Sequence, residues 1–252
     1  MAKSVLIIGG GVIGLCTAYY ALQKGHKVTI LERGTSQHDC CCRGNAGMIV
    51  PSHFIPLAAP GMVTLGLRMM ANPESPFYIK PRLSAGLVGW AWKFFRACNA
   101  DHVNRSATLL RDLSLASRQC FDELSQITAN DFGLVKKGLL MLCKTEHALA
   151  EETKTAARSN QLGIPAELLT PEKTAALEPG LKMDIAGSIY FPLDCHLTPD
   201  RFLASLTKLI RASGGDFSFE TQVNGWRTSS RQIDAVTTNK GEFRADEFVI
   251  AG

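Results

Sequence analysis

The stretch that decides the fold is SVLIIGGGVIGLCTAYYALQKGHKVTILER, residues 4–33. Residues 5–22 hold no charged residue and carry three consecutive glycines, so a secretory signal, a membrane anchor and a nucleotide site are the three candidate interpretations. Gly9, Gly10 and Gly11 would interrupt an inserting helix, each at about 1 kcal/mol relative to alanine. The apolar run is also followed at once by KVTILER, which alternates as a β-strand does. Both features favour the nucleotide site over a signal peptide or an anchor.

The same stretch predicts a βαβ unit. Its elements are a buried strand at 4–8, a helix at 12–24 that ends at Gly25, and a second strand at 27–33. Gly9, Gly11 and Gly14 give the spacing G-x-G-x-x-G between the first strand and the helix. The first glycine permits the turn, the second lets a pyrophosphate approach the backbone, and the third allows the helix to pack closely on the strand. The helix N-terminus would then face the phosphates.

An acidic residue closes the second strand of this unit. Glu32 comes eighteen residues after Gly14, a position from which it can accept hydrogen bonds from both ribose hydroxyls of an adenosine. A bond to a charged acceptor contributes about 1.5–3 kcal/mol, and the same charge repels a 2′-phosphate, so NADP is disfavoured. The alternative is a glycine-rich turn that binds no nucleotide.

Composition sets wide bounds on the rest of the chain. Its 252 residues allow one large domain or two intertwined ones, and 46% hydrophobic with 20% charged residues is typical of a folded, soluble protein. The net charge of +4 is small and scattered, which argues against nucleic acid as a partner. Single cysteines in apolar stretches act as small hydrophobes, and the consecutive Cys40, Cys41 and Cys42 lack the spacing of a zinc site, so neither disulfides nor a metal is expected.

The segment after Arg33 favours FAD over NAD. Residues 40–61, CCCRGNAGMIVPSHFIPLAAPG, are dense in glycine and proline and show no helical pattern, whereas an NAD domain continues with alternating strands and helices. Such a segment suits a loop laid along a larger cofactor.

Four motifs together resemble the FAD-dependent D-amino-acid dehydrogenases, within the glycine oxidase and D-amino-acid oxidase superfamily. They are GGGVIG, the strand that ends in Glu32 and Arg33, NAGMIVP at 45–51 and PLAAPGM at 56–62. The resemblance implies an α/β fold with a Rossmann-like FAD-binding domain and an inserted α+β substrate domain. The FAD-binding domain is expected at 1–50 and 196–252, and the substrate or cap domain mostly at 51–195. The family's C-terminal half is expected to lie beyond residue 252, so that this chain is the N-terminal portion of a longer enzyme, truncated at the C-terminus.

The resemblance also implies a set of FAD-binding residues. The pyrophosphate is expected at Gly9, Gly11, Val12, Ile13 and Gly14. The adenosine is expected at Glu32, Arg33 and Val223. Cys41 and Cys42 stand where relatives often have threonine or serine against the phosphates. The backbone at the reactive edge of the flavin is expected at Asn45, Ala46, Gly47 and Met48. The final strand brings Ala251 and Gly252 under the FAD. At Gly47 a Cβ is expected to collide with the flavin ring, and the alternative is an ordinary glycine loop.

The reaction that the resemblance implies is oxidative deamination. A hydride leaves the α-carbon of a D-amino acid for flavin N5, and the imine hydrolyses to a 2-oxo acid and ammonia, with electrons passed to a membrane quinone. No protein base is required if the bound amine is neutral. His53 is the nearest titratable candidate on the loop expected at the flavin, against the alternative of a solvated loop histidine. Tyr78, Arg82 and His196 stand no higher than background, and the substrate carboxylate's ligands are expected beyond residue 252.

Two other functions stay open from the sequence. One is a glycine or sarcosine type of amine oxidase that produces hydrogen peroxide, and the other is a non-catalytic nucleotide-binding fragment. The location implied is cytoplasmic, with peripheral attachment to the inner face of a bacterial membrane as an alternative. A homo-oligomer is also an open possibility, because an unpaired terminal strand can pair with another copy.

The remaining pattern predicts further elements. Residues 83–98 form a partly buried aromatic helix, too short to span a membrane, whose alternative is a membrane-surface contact through Lys93 and Arg96. Helices are predicted at 101–127, at 146–161, within 170–181 where the helix ends before Pro179, and at 198–212. Strands are predicted at 138–144, 187–191, 215–220 and 248–252, with two hairpin strands before the last. The arginines at 105, 111 and 118 are expected on a solvated helix face.

Overall fold

The computed structural model describes residues 1–36, 40–70, 72–75, 78–80, 82, 84–230 and 232–252. Leu83, the first residue of the predicted aromatic helix, lies outside the described residues. The helices are α1 (Val12–Gln23), α2 (Met62–Met70), α3 (Ala85–Ala97), α4 (Ala100–Ile127), α5 (Glu146–Gln161), α6 (Pro171–Leu177) and α7 (Pro199–Ala212). The strands are β1 (Ser4–Ile8), β2 (Lys27–Leu31), β3 (Met48–Ile49), β4 (Leu139–Cys143), β5 (Glu167–Leu169), β6 (Gly187–Phe191), β7 (Cys195–His196), β8 (Asp216–Ser218), β9 (Val223–Ser229), β10 (Gln232–Thr238), β11 (Gly241–Phe243) and β12 (Glu247–Ile250).

The chain divides into two compact units. The first comprises Met1–Met48, Glu123–Val135 and His196–Gly252, and the second comprises Ile49–Asp122 and Lys136–Cys195. By this division residues 123–135 fall with the segments that carry the glycine motif.

A four-stranded parallel sheet organises the first unit. Its order is β12-β1-β2-β8, and every neighbouring pair is parallel. The two central strands, β1 and β2, are apolar runs because most of their side chains are buried, and Ile7 and Ile30 are fully buried. Helix α1 packs on β1 and β2 and also against α7. The predicted α/β class with a parallel sheet is therefore confirmed. The expectation of an unpaired terminal strand is wrong, because β12 pairs in parallel with β1 from Glu247 to Ile250.

A glycine contact fixes how α1 meets this sheet. A Cβ on Gly14 would lie 1.9 Å from the carbonyl oxygen of Gly9 and 3.4 Å from the Ile7 side chain. Gly9 itself has φ +112°, and a Cβ there would lie 2.7 Å from the carbonyl oxygen of Ala251. The predicted structural roles of the first and third glycines are thus visible in the packing.

An antiparallel sheet completes the first unit. The sequence predicted two hairpin strands, but β9, β10 and β11 form a three-stranded sheet in the order β11-β10-β9. Its third strand follows a turn at Asn239 and Lys240 and is only three residues long, which is too short to give a clear alternation. Val236 of β10 joins Leu6 and Leu31 in one buried cluster, so this sheet covers part of the parallel one.

The second unit contains its own antiparallel sheet, in the order β4-β6-β5. Helix α5 packs on β6, where Ala156, Ile189 and Phe191 form a buried cluster. Among the described residues, no helix combines the length and apolar character that a bilayer span requires.

The expectation of three solvated arginines on α4 is wrong for two of them. Arg105 is exposed, but the Arg111 guanidinium donates to the carbonyl of Leu162, and that of Arg118 donates to the carbonyl of Leu193. Loop carbonyls without a strand partner need donors, and long arginine side chains reach them. Sequence periodicity alone does not reveal such distant partners.

We predict that Gly14→Ala destabilises the protein by more than about 3 kcal/mol, because the added Cβ meets a backbone oxygen that cannot move without disturbing β1. Gly86→Ala is the matched control, since it also adds a methyl group to a helix but with nothing within 4 Å among the described atoms. Thermal unfolding followed by circular dichroism measures both. Equal melting temperatures for the two variants would contradict the proposed packing constraint.

Candidate functional site

A cavity opens at the carboxyl ends of the parallel strands in the first unit. Its volume is about 890 Å³. Nine of the predicted cofactor residues line it: Gly9, Gly11, Glu32, Arg33, Cys41, Cys42, Val223, Ala251 and Gly252. This edge of an open α/β sheet is where such folds bind their ligands. The cavity therefore brings together residues from both ends of the chain.

The N-terminus of α1 is open toward this cavity. Gly11 is the N-cap residue and has no side chain with which to cap the helix, and the first turn carries no acidic residue. A Cβ built on Gly11 would meet only one described atom within 4 Å, the Cys42 Sγ at 3.5 Å. Backbone N–H groups at the start of a helix, the partial positive charge of the helix and the missing side chain are the features of anion-binding helix N-termini.

Cys42 supplies one contact to this turn. Its Sγ accepts a hydrogen bond from the backbone N–H of Val12 at 3.3 Å. Sulfur is a weak acceptor, so an anion can displace it at modest cost. Cys42 thus lies against the glycine turn, while its contact with a phosphate stays a prediction.

Glu32 is held beside the glycine turn by two backbone donors. The Gly10 N–H donates to Oε2 at 2.7 Å and the Gly34 N–H donates to Oε1 at 2.7 Å. The side chain is buried, with 7% of the residue exposed. An ionised carboxylate offers about four acceptor sites, so it can accept hydrogen bonds from a ligand's hydroxyls as well as from backbone N–H groups.

Thr221 and Gln222 are lining residues that the sequence analysis missed. Thr221 donates its N–H to the Glu32 carbonyl at 2.8 Å and is almost fully buried. Both lie in the connection between β8 and β9, which the pattern assigned partly to a longer strand. No motif marks such a connection, because its position depends on the pairing of β8 with β2.

The other predicted cofactor residues lie outside the described lining of this cavity. They are Val12, Ile13, Gly14, Asn45, Ala46, Gly47 and Met48. Gly14 is buried under the turn, whereas Ile13 is 65% exposed. Their contacts with a cofactor remain predictions.

Gly47 has a structural reason of its own. Its φ is +69°, and a Cβ there would lie 2.1 Å from the carbonyl oxygen of Leu197. The Leu197 N–H donates to the Gly47 carbonyl at 2.9 Å, and the Asn45 Oδ1 accepts the Gly47 N–H at 2.8 Å. Backbone approach within the protein is thus enough to require glycine at this position.

His53 belongs to a hydrogen-bonded cluster in the second unit. The ring is exposed, and its Nδ1 lies 3.1 Å from Ser52 Oγ. Asp194, only 1% exposed, accepts the Ser52 N–H at 3.1 Å and the Ser52 hydroxyl at 2.5 Å. Burial raises the pKa of the Asp194 carboxyl, opposed by the two Ser52 bonds and the charges of His53 and Arg118. Ser52 and Asp194 are 142 residues apart, so sequence reasoning could not pair them.

The structure also gives the positions of the three residues that the sequence does not raise above background. Tyr78 is 67% exposed and Arg82 is exposed. His196 exchanges backbone hydrogen bonds with Val135. These positions give no reason to assign any of the three to a site.

The geometry can now be set against known proteins. The sequence profile of the family described as FAD dependent oxidoreductase matches residues 4–252. This chain belongs to that family.

Proteins of known name match this chain along nearly its whole length. The D-amino acid dehydrogenase of Vibrio atlanticus is 32% identical over 98% of this chain, and that of Neisseria meningitidis is 30% identical over 98%. In both cases the match covers 60% of the relative's length, so the chain spans less than two thirds of these proteins. Glycine oxidase from Geobacillus kaustophilus superposes with a TM-score of 0.67 at 24% identity, over 100% of this chain and 55% of that one. The superposition shows a shared fold.

The residues present fit the cofactor that the family uses, FAD. The open turn at Gly11 and the N-terminus of α1 would hold the pyrophosphate. The Glu32 carboxylate would accept the ribose hydroxyls of the adenosine half. The cavity thus offers a built site for the ADP portion of FAD.

We predict that Glu32→Gln weakens FAD binding roughly tenfold to a hundredfold, because the amide nitrogen would face a backbone N–H and one charged acceptor would be lost. Quenching of flavin fluorescence on titration gives the Kd. Glu167→Gln removes an exposed carboxylate from β5 in the other unit and should leave the Kd unchanged. Equal affinity of the Glu32 variant and the unmodified protein, with both folded by circular dichroism, would refute the ribose role.

Proposed function

We propose that this chain forms the FAD-binding part, and a share of the substrate domain, of an enzyme that oxidatively deaminates D-amino acids. The observation that carries the proposal is the cavity at the parallel sheet, which joins the glycine turn, Glu32 and the final strand at one site. The relatives named D-amino acid dehydrogenase support the choice of substrate class. Residues 1–50 and 196–252 would bind FAD, and residues 51–195 would mostly serve the substrate.

When bound, FAD supplies the acceptor for a hydride from the α-carbon of the amino acid. The resulting imine takes up water and releases ammonia and a 2-oxo acid. The chain's own contribution is to bind and orient: Glu32 and the α1 N-terminus anchor the nucleotide end. His53 is the proposed titratable group on the loop that follows Gly47.

We further propose that the electrons pass to a membrane acceptor, a quinone, and that α3 contacts the membrane surface. None of the residues of α3, all of which are described, is buried, and Trp90, Trp92 and Phe95 are 49%, 60% and 58% exposed. The helix carries Lys93 and Arg96 and no acidic residue. Exposed aromatic rings beside cations suit the headgroup region of an anionic lipid surface.

The proposed reaction predicts that the enzyme containing this chain, once loaded with FAD, reduces an artificial electron acceptor with D-alanine, and at least tenfold more slowly with L-alanine. Retained flavin absorption after removal of free FAD establishes loading, and the acceptor's absorbance gives the rate. Hydrogen peroxide formed in step with glycine or sarcosine oxidation would instead favour the amine oxidase. A loaded protein without turnover on any of these substrates would favour a nucleotide-binding role.

The membrane proposal predicts binding to vesicles that contain phosphatidylglycerol and little binding to purely phosphatidylcholine vesicles. Replacing Lys93 and Arg96 by glutamine should reduce the bound fraction severalfold, since each cation near an anionic surface contributes about 1 kcal/mol. Co-flotation on a density gradient measures binding. The matched control replaces Lys144 and Lys182, which are exposed in the same unit, and should bind as the unmodified protein does. Equal loss in both double variants would show general charge attraction and no contact specific to α3.

A further inference from the structure

In the cluster of Asp194, Ser52 and His53, the direction of one hydrogen bond determines the direction of the next. Ser52 Oγ lies 2.5 Å from Asp194 Oδ2 and 3.1 Å from His53 Nδ1. A serine hydroxyl has one hydrogen to donate, so it can be the donor in only one of these two contacts. The direction of the other contact then follows.

The distances indicate which contact holds the hydroxyl hydrogen. In a hydrogen bond from a hydroxyl to an ionised carboxylate, the two oxygens are about 2.5–2.7 Å apart, which is closer than in a hydrogen bond between neutral groups. The contact with Asp194 has this length. Asp194 also accepts the Ser52 N–H through its other oxygen, so the carboxylate acts as an acceptor toward Ser52 on both sides. With its hydrogen used here, Ser52 Oγ can only accept from the His53 ring.

We propose that Asp194, acting through Ser52, fixes the neutral His53 ring in the tautomer that carries its hydrogen on Nδ1 and leaves Nε2 as the proton acceptor. Asp194 and Ser52 are then positioning residues for His53. Whether one ring nitrogen of a neutral histidine carries the hydrogen is set by the hydrogen bond that the other ring nitrogen makes. Any consequence for catalysis rests on the proposed function, whereas the tautomer itself does not.

The surroundings of the cluster support a fixed arrangement. Phe54, directly after His53, is fully buried and packs in one cluster with Leu193, directly before Asp194. The Arg118 guanidinium donates to the Leu193 carbonyl at 2.7 Å and favours the charged form of Asp194. We call Asp194, Ser52 and His53 the relay. The backbone at both of its ends is thus anchored in the second unit, and the two Ser52 hydrogen bonds satisfy a buried carboxylate.

The reverse order is chemically possible and makes the proposal testable. If burial kept Asp194 protonated, its Oδ2–H would donate to Ser52 Oγ and the serine hydrogen would turn to His53 Nδ1. The ring would then carry its hydrogen on Nε2. In this arrangement the Asp194–Ser52 bond joins two neutral groups and is expected to be about 2.7–2.8 Å long, whereas the distance in the structure is 2.5 Å.

Nitrogen-15 NMR of the histidine rings in the full chain tests the proposal. Spectra at about pH 9, where an ordinary histidine is neutral, show which ring nitrogen is protonated. His53 is assigned among the six histidines by the loss of its signals in His53→Gln. We expect protonated Nδ1 in the unmodified protein. A hydrogen on Nε2 overturns the proposal.

Three variants sharpen this test. Ser52→Ala should return the ring to a mixture of both tautomers. Asp194→Asn should move the hydrogen to Nε2, because the amide donates to Ser52 Oγ and the serine hydrogen turns toward the ring. Ser159→Ala, which removes another buried serine of the same unit, should leave the His53 signals in place. Unchanged His53 signals in folded Ser52→Ala protein also overturn the proposal, and if that variant fails to fold, the spectrum of the unmodified protein still decides.

Turnover distinguishes this inference from the proposed function. If the loaded protein oxidises no D-amino acid while His53 shows the expected tautomer, the proposed function fails and the relay stands. If D-alanine turnover is observed while His53 carries its hydrogen on Nε2, the relay fails and the proposed function stands.

Discussion

The close approach of Gly14 to the Gly9 carbonyl is the constraint on which the nucleotide half of the structure depends. With no Cβ in the way, α1 lies directly on the end of β1, and its N-terminus meets the cavity. The same turn brings the Gly10 N–H to Glu32, so the acid that follows β2 is fixed by the motif that follows β1. The residues proposed to bind the phosphates and the ribose thus share one local geometry.

Local signals explain how much of the fold the sequence predicts. Thr145 and Thr170 cap α5 and α6 with their side chains, and both helices were predicted at these starts. Helix α2 was missed, because it follows a proline-rich run that resembles a loop. Among site residues, the glycine motif and Glu32 could be predicted because their spacing along the chain sets their geometry. Thr221 could not, since its place depends on pairing between distant strands.

Glu32 and Asp194 show how burial acts on two carboxylates in different settings. Glu32 accepts two backbone N–H groups, which no titration of a neighbour can remove, and this suits a static contact with a ligand's hydroxyls. Asp194 accepts one backbone N–H and one hydroxyl, and a hydroxyl can reverse its direction. Only the second arrangement can pass the protonation state of the acid on to a neighbouring ring.

Because these two carboxylates lie in different units, their effects can be separated. Loss of a backbone-anchored acceptor at Glu32 acts on nucleotide affinity, which is an equilibrium property of the first unit. In the proposed relay, the protonation state of Asp194 sets which ring nitrogen of His53 carries the hydrogen. Nucleotide affinity and the His53 tautomer therefore depend on separate sets of contacts, one in each unit, and a substitution can change either without the other.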